Sequence, residues 1–165
     1  KNIPNKFTRS MIIDALNPQF RGTFNFLYLP IDFKNQCNVG YVFLNFVNVA
    51  SAKKLLNAGA DIAARNECDS TPLHSAASNG PPENIQALLD GGADIMAQEA
   101  DGWTPLHRAA TCFACSSENI QFLLDAGASV LVTDEEGMTP WDYANANKML
   151  RGTSGYFALK EAQFK

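Results

Sequence analysis

The chain has 165 residues, 46% hydrophobic and 18% charged, with 8 Pro and 11 Gly. That composition suits one ordinary domain or two small ones, and it excludes intrinsic disorder and collagen-like repeats. The net charge of −4 averages two unlike parts: residues 1–48 balance at +3 and residues 49–165 at −7, so nucleic acid suits the first part as a partner and not the second.

In the first part, Thr8 can cap a helix over residues 8–17, with Met11, Ile12 and Leu16 on one face and Pro18 as its stop. Residues 24–29 are aromatic and β-prone, closed by Pro30, and residues 41–46 form a second strand. Val42, Leu44 and Phe46 share one face of that strand; Tyr41, Phe43 and Asn45 share the other. The octapeptide Val39-Gly40-Tyr41-Val42-Phe43-Leu44-Asn45-Phe46 resembles the RNP octapeptide of the RNA recognition motif. There the residues matching Tyr41 and Phe43 stack on bases while the even positions face the core. Val39 stands where that motif has a basic residue. The string from Phe26 to Asn35, then Cys37 to Tyr41, together with Lys1-Asn2-Ile3-Pro4-Asn5-Lys6, looks like the C-terminal RNA recognition motif of the Mei-two-like meiosis regulators. The resemblance implies RNA binding, with Tyr41, Phe43 and Asn45 on bases and Arg9, Arg21 and Lys34 on phosphates. The complete motif has two βαβ halves. Here the first strand is expected to precede Lys1, and repeats replace the last helix and strand after Phe46. Opening on Lys1 with no signal peptide, the chain is expected to be a fragment. Tyr41 and Phe43 are then either base platforms or a repacked aromatic patch.

Residues 51–56 are either the motif's missing helix or the start of the second part; Gly59, in register with the repeats there, favours the second part. Thr71-Pro72-Leu73-His74 recurs as Thr104-Pro105-Leu106-His107 and, degraded, as Thr139-Pro140-Trp141-Asp142, at steps of 33 and 35. Gly59-Ala60-Asp61-Ile62, Gly92-Ala93-Asp94-Ile95 and Gly127-Ala128-Ser129-Val130 keep the same beat. Thr71 caps a helix starting at Pro72, with Leu73, Ala76 and Ala77 as its apolar face. Gly80-Pro81-Pro82 breaks it, and residues 83–90 form a second helix carrying Ile85, Leu88 and Leu89, ended by Gly91-Gly92. Neither helix buries its face alone, so the units must stack. The two extra residues of the second step fall in a loop at 111–117.

Period, tetrapeptide and paired alanines resemble the ankyrin repeat over about residues 50–150. The resemblance implies stacked helix pairs whose hairpin tips and first helices form a concave protein-binding face. Carried over by register, the binding positions are Arg65, Glu67 and Ser70; Gln98, Ala100 and Trp103; Thr133, Glu135 and Met138. On the first helices they are Ser75, Ser78, Arg108 and Thr111. Trp103 is either an interface anchor, as tryptophan and arginine commonly are, or packing for the neighbouring hairpin. In this family the histidines matching His74 and His107 bond backbone between repeats.

The expected fold class is α+β: a partial RNA recognition motif of helix plus β-hairpin over 1–48, an all-α ankyrin solenoid over 49–150, and a tail or cap over 151–165. Within the tail, residues 156–164 form a short amphipathic end. Cys37, Cys68, Cys112 and Cys115 read as cytosolic thiols, and Cys112-Phe113-Ala114-Cys115 lacks the second pair that zinc needs. There is no phosphate-cradling glycine loop, no nucleophile–base pairing and no run of about 18 apolar residues. The expected protein is thus a non-catalytic interaction module without a cofactor, small-molecule substrate or membrane, in cytoplasm or nucleus. Its partner is a protein docked on the ankyrin face around Trp103 and Arg108; the alternative is an adaptor for single-stranded RNA.

Overall fold

A computed structural model describes residues 61–111 and 117–164 with their side chains, and residues 24–28, 31–32, 37–38 and 43–46 as strand backbone. It divides into two units, Lys1–Asp61 and Ile62–Lys165. In the first unit β1 (Phe24–Tyr28) pairs antiparallel with β4 (Phe43–Phe46), placing Leu27 opposite Leu44 and Tyr28 opposite Phe43. The register slips between Phe24 and Phe26. β2 (Ile31–Asp32) and β3 (Cys37–Asn38) form a separate two-stranded ladder.

Within the second unit, the first described helix begins at the first Thr-Pro signal, Thr71-Pro72. α1 (Pro72–Asn79) and α2 (Pro82–Asp90) form one antiparallel pair, α3 (Pro105–Thr111) and α4 (Ser117–Asp125) the next, α5 (Pro140–Ala146) and α6 (Ser154–Gln163) the third. Each first helix opens on proline, whose missing N–H would have had no partner in the first turn. First helices stack on first helices, α1 on α3 and α3 on α5; second helices stack likewise, α2 on α4 and α4 on α6. The core is the row of small and branched side chains between these layers. Leu73, Ala77, Ile85, Leu106, Ala109, Ala110, Ile120, Leu123, Ala144 and Leu159 are wholly excluded from solvent, each leucine or isoleucine contributing about 1.5–3 kcal/mol of burial.

The α+β expectation is corrected. The unit with a described core is all-helical, with six helices and no strand among the described residues from 61 to 164. The described strands of the first unit make two two-stranded ladders, with strands of two to five residues. The expected helix over 8–17 and the segment 51–56 lie outside the described residues.

The third pair also differs from the sequence reading. Residues 154–163 are a full helix, capped by Thr153, and pack on α4 and α5 as the second member of their pair. The approach to α4 is close enough that a Cβ at Gly155 would fall 2.6 Å from the Ser117 carbonyl oxygen and 3.1 Å from Ile120 Cβ. Only glycine fits there without the helices parting.

Candidate protein-interaction face

Three turns project from the stack, beginning at Asn66, Glu99 and Asp134. In each, the first residue's N–H donates across the loop, to Ser70 O (3.1 Å), Trp103 O (2.9 Å) and Met138 O (3.0 Å). Each also needs a left-handed fourth residue: Asp69 at φ 58°, Gly102 at 80° and Gly137 at 77°. The turns are joined by Ala100 N–H to Cys68 O at 3.0 Å and Glu135 N–H to Asp101 O at 3.1 Å. Backbone bonds therefore fix the spacing of the tips.

The first residue of each turn also has a side-chain task. Asn66 Oδ1 accepts from the Cys68 and Ser70 N–H groups, and Asp134 Oδ1 from those of Glu136 and Met138, all at 2.9 Å. Glu99 is one methylene longer and turns elsewhere. Its Oε2 takes Arg108 Nε at 2.8 Å and a second Arg108 nitrogen at 2.6 Å. Its Oε1 is buried without a donor among the described residues.

The histidines of α1 and α3 latch each pair to the turn that follows it. His74 Nδ1 accepts from the Thr71 N–H at 3.2 Å and lies 2.8 Å from the Thr71 hydroxyl, which places its proton on Nε2. That Nε2–H reaches Trp103 O at 3.0 Å. His107 repeats the arrangement, with the Thr104 N–H on Nδ1 at 3.1 Å and Nε2–H to Met138 O at 3.2 Å. Burial pushes both imidazoles below their ordinary value, against the opposing pull of Glu99 and the Trp103 carbonyl on His74 and of the Met138 carbonyl and Asp134 on His107. Asp142 stands at the matching place in α5. Its Oδ2 takes the Thr139 N–H at 2.8 Å and hydroxyl at 2.6 Å, closing the cap on itself.

Trp103 is half-buried at the centre of the face. The Arg108 guanidinium lies 5.0 Å over its ring, Tyr143 of the third pair is tilted against it at 4.8 Å, and His107 is at 6.3 Å. The Tyr143 hydroxyl donates to Asp134 Oδ2 at 2.5 Å. This hydrogen bond, with burial and the negative charge of Asp134, pushes the phenol up to about 12. Burial alone would raise the Asp134 carboxyl, but Tyr143, the Met138 and Glu136 N–H groups and His107 together hold it below its ordinary value.

Of the positions carried over by register, Trp103 and Arg108 are brought together. Arg65 is exposed yet held, donating to Asp69 O at 2.9 Å and Gln98 O at 2.8 Å. Glu67, Gln98, Ala100, Thr133, Glu135 and Met138 line the exposed tips, and Ser75 is exposed on α1. Ser70 is buried beneath its turn; Ser78 and Thr111 are half-buried, and the Thr111 hydroxyl donates to its own helix. Phe43 and Asn45 lie on β4, where the backbone alone is described. Arg9, Arg21, Lys34, Tyr41, Cys112 and Cys115 lie outside the described residues.

Sequence reasoning passed over Glu99, Asp134 and Tyr143. The same register could have found them: Asn66, Glu99 and Asp134 are spaced by 33 and 35, as are Ser75, Arg108 and Tyr143. Among the described residues no cluster of His, Cys, Asp and Glu is placed to hold a metal ion, and no helix is long and apolar enough to cross a membrane.

Stacked helix pairs with latched, projecting turns are the architecture of a repeat scaffold. The family model for ankyrin repeats (3 copies) matches residues 43–134, over half of the sequence, and the chain belongs to the ankyrin-repeat family. A second family model, RNA recognition motif 2, matches residues 1–68, overlapping the first. The first part is similar to Protein MEI2-like 5 of Arabidopsis thaliana, 62% identical over 48 residues, 29% of this chain and 6% of that protein. It is also similar to Meiosis protein mei2 of Schizosaccharomyces pombe, 57% identical over 51 residues, 31% of this chain and 7% of that protein. The matched stretch is thus a small part of these relatives. The chain joins a Mei2-like RNA-recognition-motif segment to an ankyrin protein-interaction module.

Proposed function

We propose that the ankyrin unit is a non-catalytic docking module whose tips and first helices bind a basic segment of a partner protein, with Trp103 as anchor. The observation that carries this reading is the charge of the tips. Glu67, Asp69, Asp101, Glu135 and Glu136 are exposed there, while Arg65 and Arg108 are both already engaged. Such a field attracts cations and repels phosphate backbones. Trp103 is held in place by Tyr143 and Arg108, so little side-chain freedom is lost when a partner covers it. Trp103→Ala is expected to weaken binding of a partner captured by the wild-type chain by about 2 kcal/mol or more, roughly 30-fold. A partner affinity that is unchanged, measured by calorimetry on a folded variant, would remove Trp103 from the site.

A second reading is favoured by the match of residues 1–68 to RNA recognition motif 2. On that reading Tyr41 and Phe43 stack on bases of single-stranded RNA, with Asn45 beside them and Arg9, Arg21 and Lys34 on phosphates. RNA binding then falls steeply as salt rises and is lost in Tyr41→Ala/Phe43→Ala. Binding indifferent to those two aromatics would sink it and leave the ankyrin face as the working surface.

A further inference from the structure

The outer face of α6 and the residue that follows it carry charges and rings in an order that is complementary in charge to its own reverse. Phe157, Lys160 and Glu161 are spaced i, i+3, i+4 on α6 and fall within an arc of about 100°, and Phe164, at i+7, is the C-cap that follows the helix. All four are exposed, Phe157 at 52% and Phe164 at 72%. Gly155 and Leu159 occupy the opposite side and face α4. The two phenylalanines do not hang free. Phe157 meets Tyr156 edge-on at 5.6 Å, Tyr156 meets Trp141 at 5.0 Å, and Trp141 meets Phe164 edge-on at 6.0 Å. A connected set of four rings thus holds two large apolar groups in water, on either side of one cation and one anion. Neither Lys160 nor Glu161 pairs with an opposite charge among the described residues; as neighbours in sequence on a helix, they do not face each other.

We infer that α6 is a self-association surface, and that its occupant is the α6 of a second copy of this chain, lying antiparallel across a two-fold axis between Lys160 and Glu161. In that arrangement the order Phe–Lys–Glu–Phe meets its own reverse. Phe157 packs on the partner's Phe164, Lys160 pairs with the partner's Glu161, and the same contacts recur on the other side of the axis. A two-fold interface of this kind demands a self-complementary patch, and this one is complementary in both shape and sign. The parallel arrangement sets lysine against lysine and glutamate against glutamate.

The test is sedimentation equilibrium of the full chain over a wide concentration range. The wild type is expected to form a dimer that dissociates on dilution. Lys160→Glu and Glu161→Lys each bring like charges together at the axis and are expected to weaken dimerisation about tenfold or more. The double variant Lys160→Glu/Glu161→Lys reverses both signs and restores the pairing, so it dimerises like the wild type. All these positions are exposed, and circular dichroism checks that each variant is folded. A wild type that stays monomeric overturns the inference. So does a dimer indifferent to the single reversals, or a double variant as weak as the singles.

Discussion

Asn119→Ala is expected to cost the ankyrin unit about 2–4 kcal/mol. Asn119 is fully excluded from solvent, and its Nδ2 donates to Ala77 O at 3.2 Å and Gly80 O at 3.0 Å. The last carbonyls of a helix have no partner within it. For α1 those carbonyls end inside the stack, where water cannot serve them, and a side chain from the second helix of the next pair supplies the donors. Asn147 does the same for α3, with its Nδ2 3.1 Å from Ala110 O. Alanine would remove two hydrogen bonds and leave both carbonyls buried without donors. A short repeat array has little stability to spare, because each of the three described helix pairs is held mainly by its neighbours. Urea unfolding followed by circular dichroism measures the change as a shift in midpoint at constant slope. A loss below about 0.5 kcal/mol, the range of a neutral surface substitution, would mean that other donors replace the amide.

Stability is expected to fall as the pH drops below about 6.5, the ordinary imidazole value. The folded state lowers the values of both His74 and His107, so it binds fewer protons there than the unfolded chain does. The contribution is complete above the ordinary value and is lost as the pH falls towards and through the lowered one. The structural cause is explicit. A proton on Nδ1 would face the backbone N–H of Thr71 or Thr104, turning an accepting nitrogen into a donor against a donor. Asp134 adds a second, separate acid limb: its depressed carboxyl contributes fully above its ordinary 3.8 and loses that contribution only as the pH falls below it. Thermal unfolding between about pH 7 and pH 5 separates the histidine limb from that of Asp134. The double variant His74→Gln/His107→Gln is expected to be less stable at neutral pH, with a flat profile through that window. A wild-type profile already flat there, or a slope surviving in the double variant, would assign the latches no part in it.

The framework was legible because each piece of it is written in local chemistry. Thr-Pro marks the start of all three described first helices, Gly80 and Pro81 separate α1 from α2, which opens on Pro82, and paired alanines announce the close face. The second helix of the third pair was not legible. The Glu-Asn-Ile-Gln phrase that opens α2 and α4 is gone from α6, and Gly155 packs where only contact with Ser117 and Ile120 explains it. Arg108 was legible as a face residue, but not as one tethered to Glu99. That contact depends on the extra methylene of Glu99, which carries its carboxylate out of the turn. Tyr143 could have been read from the register; its hydrogen bond to Asp134 could not, because it joins α5 to the turn before it. In the first part, aromatic alternation identified the strands that pair as β1 and β4.

The self-closed cap of Asp142 gives the array a direction of growth. A histidine latch needs a carbonyl ahead of it, and the second pair both reaches the Met138 carbonyl through His107 and offers the Trp103 carbonyl to His74. Copying residues 102–136 in tandem within the array would preserve this relation at each new junction, since each copy both grips and is gripped. A unit added after the third pair would find at Asp142 a carboxylate whose engaged oxygen is spent on Thr139 and no N–H to hold its turn. Gene duplication could therefore lengthen this scaffold from within at little structural cost, whereas a unit added after the third pair would go without a histidine latch.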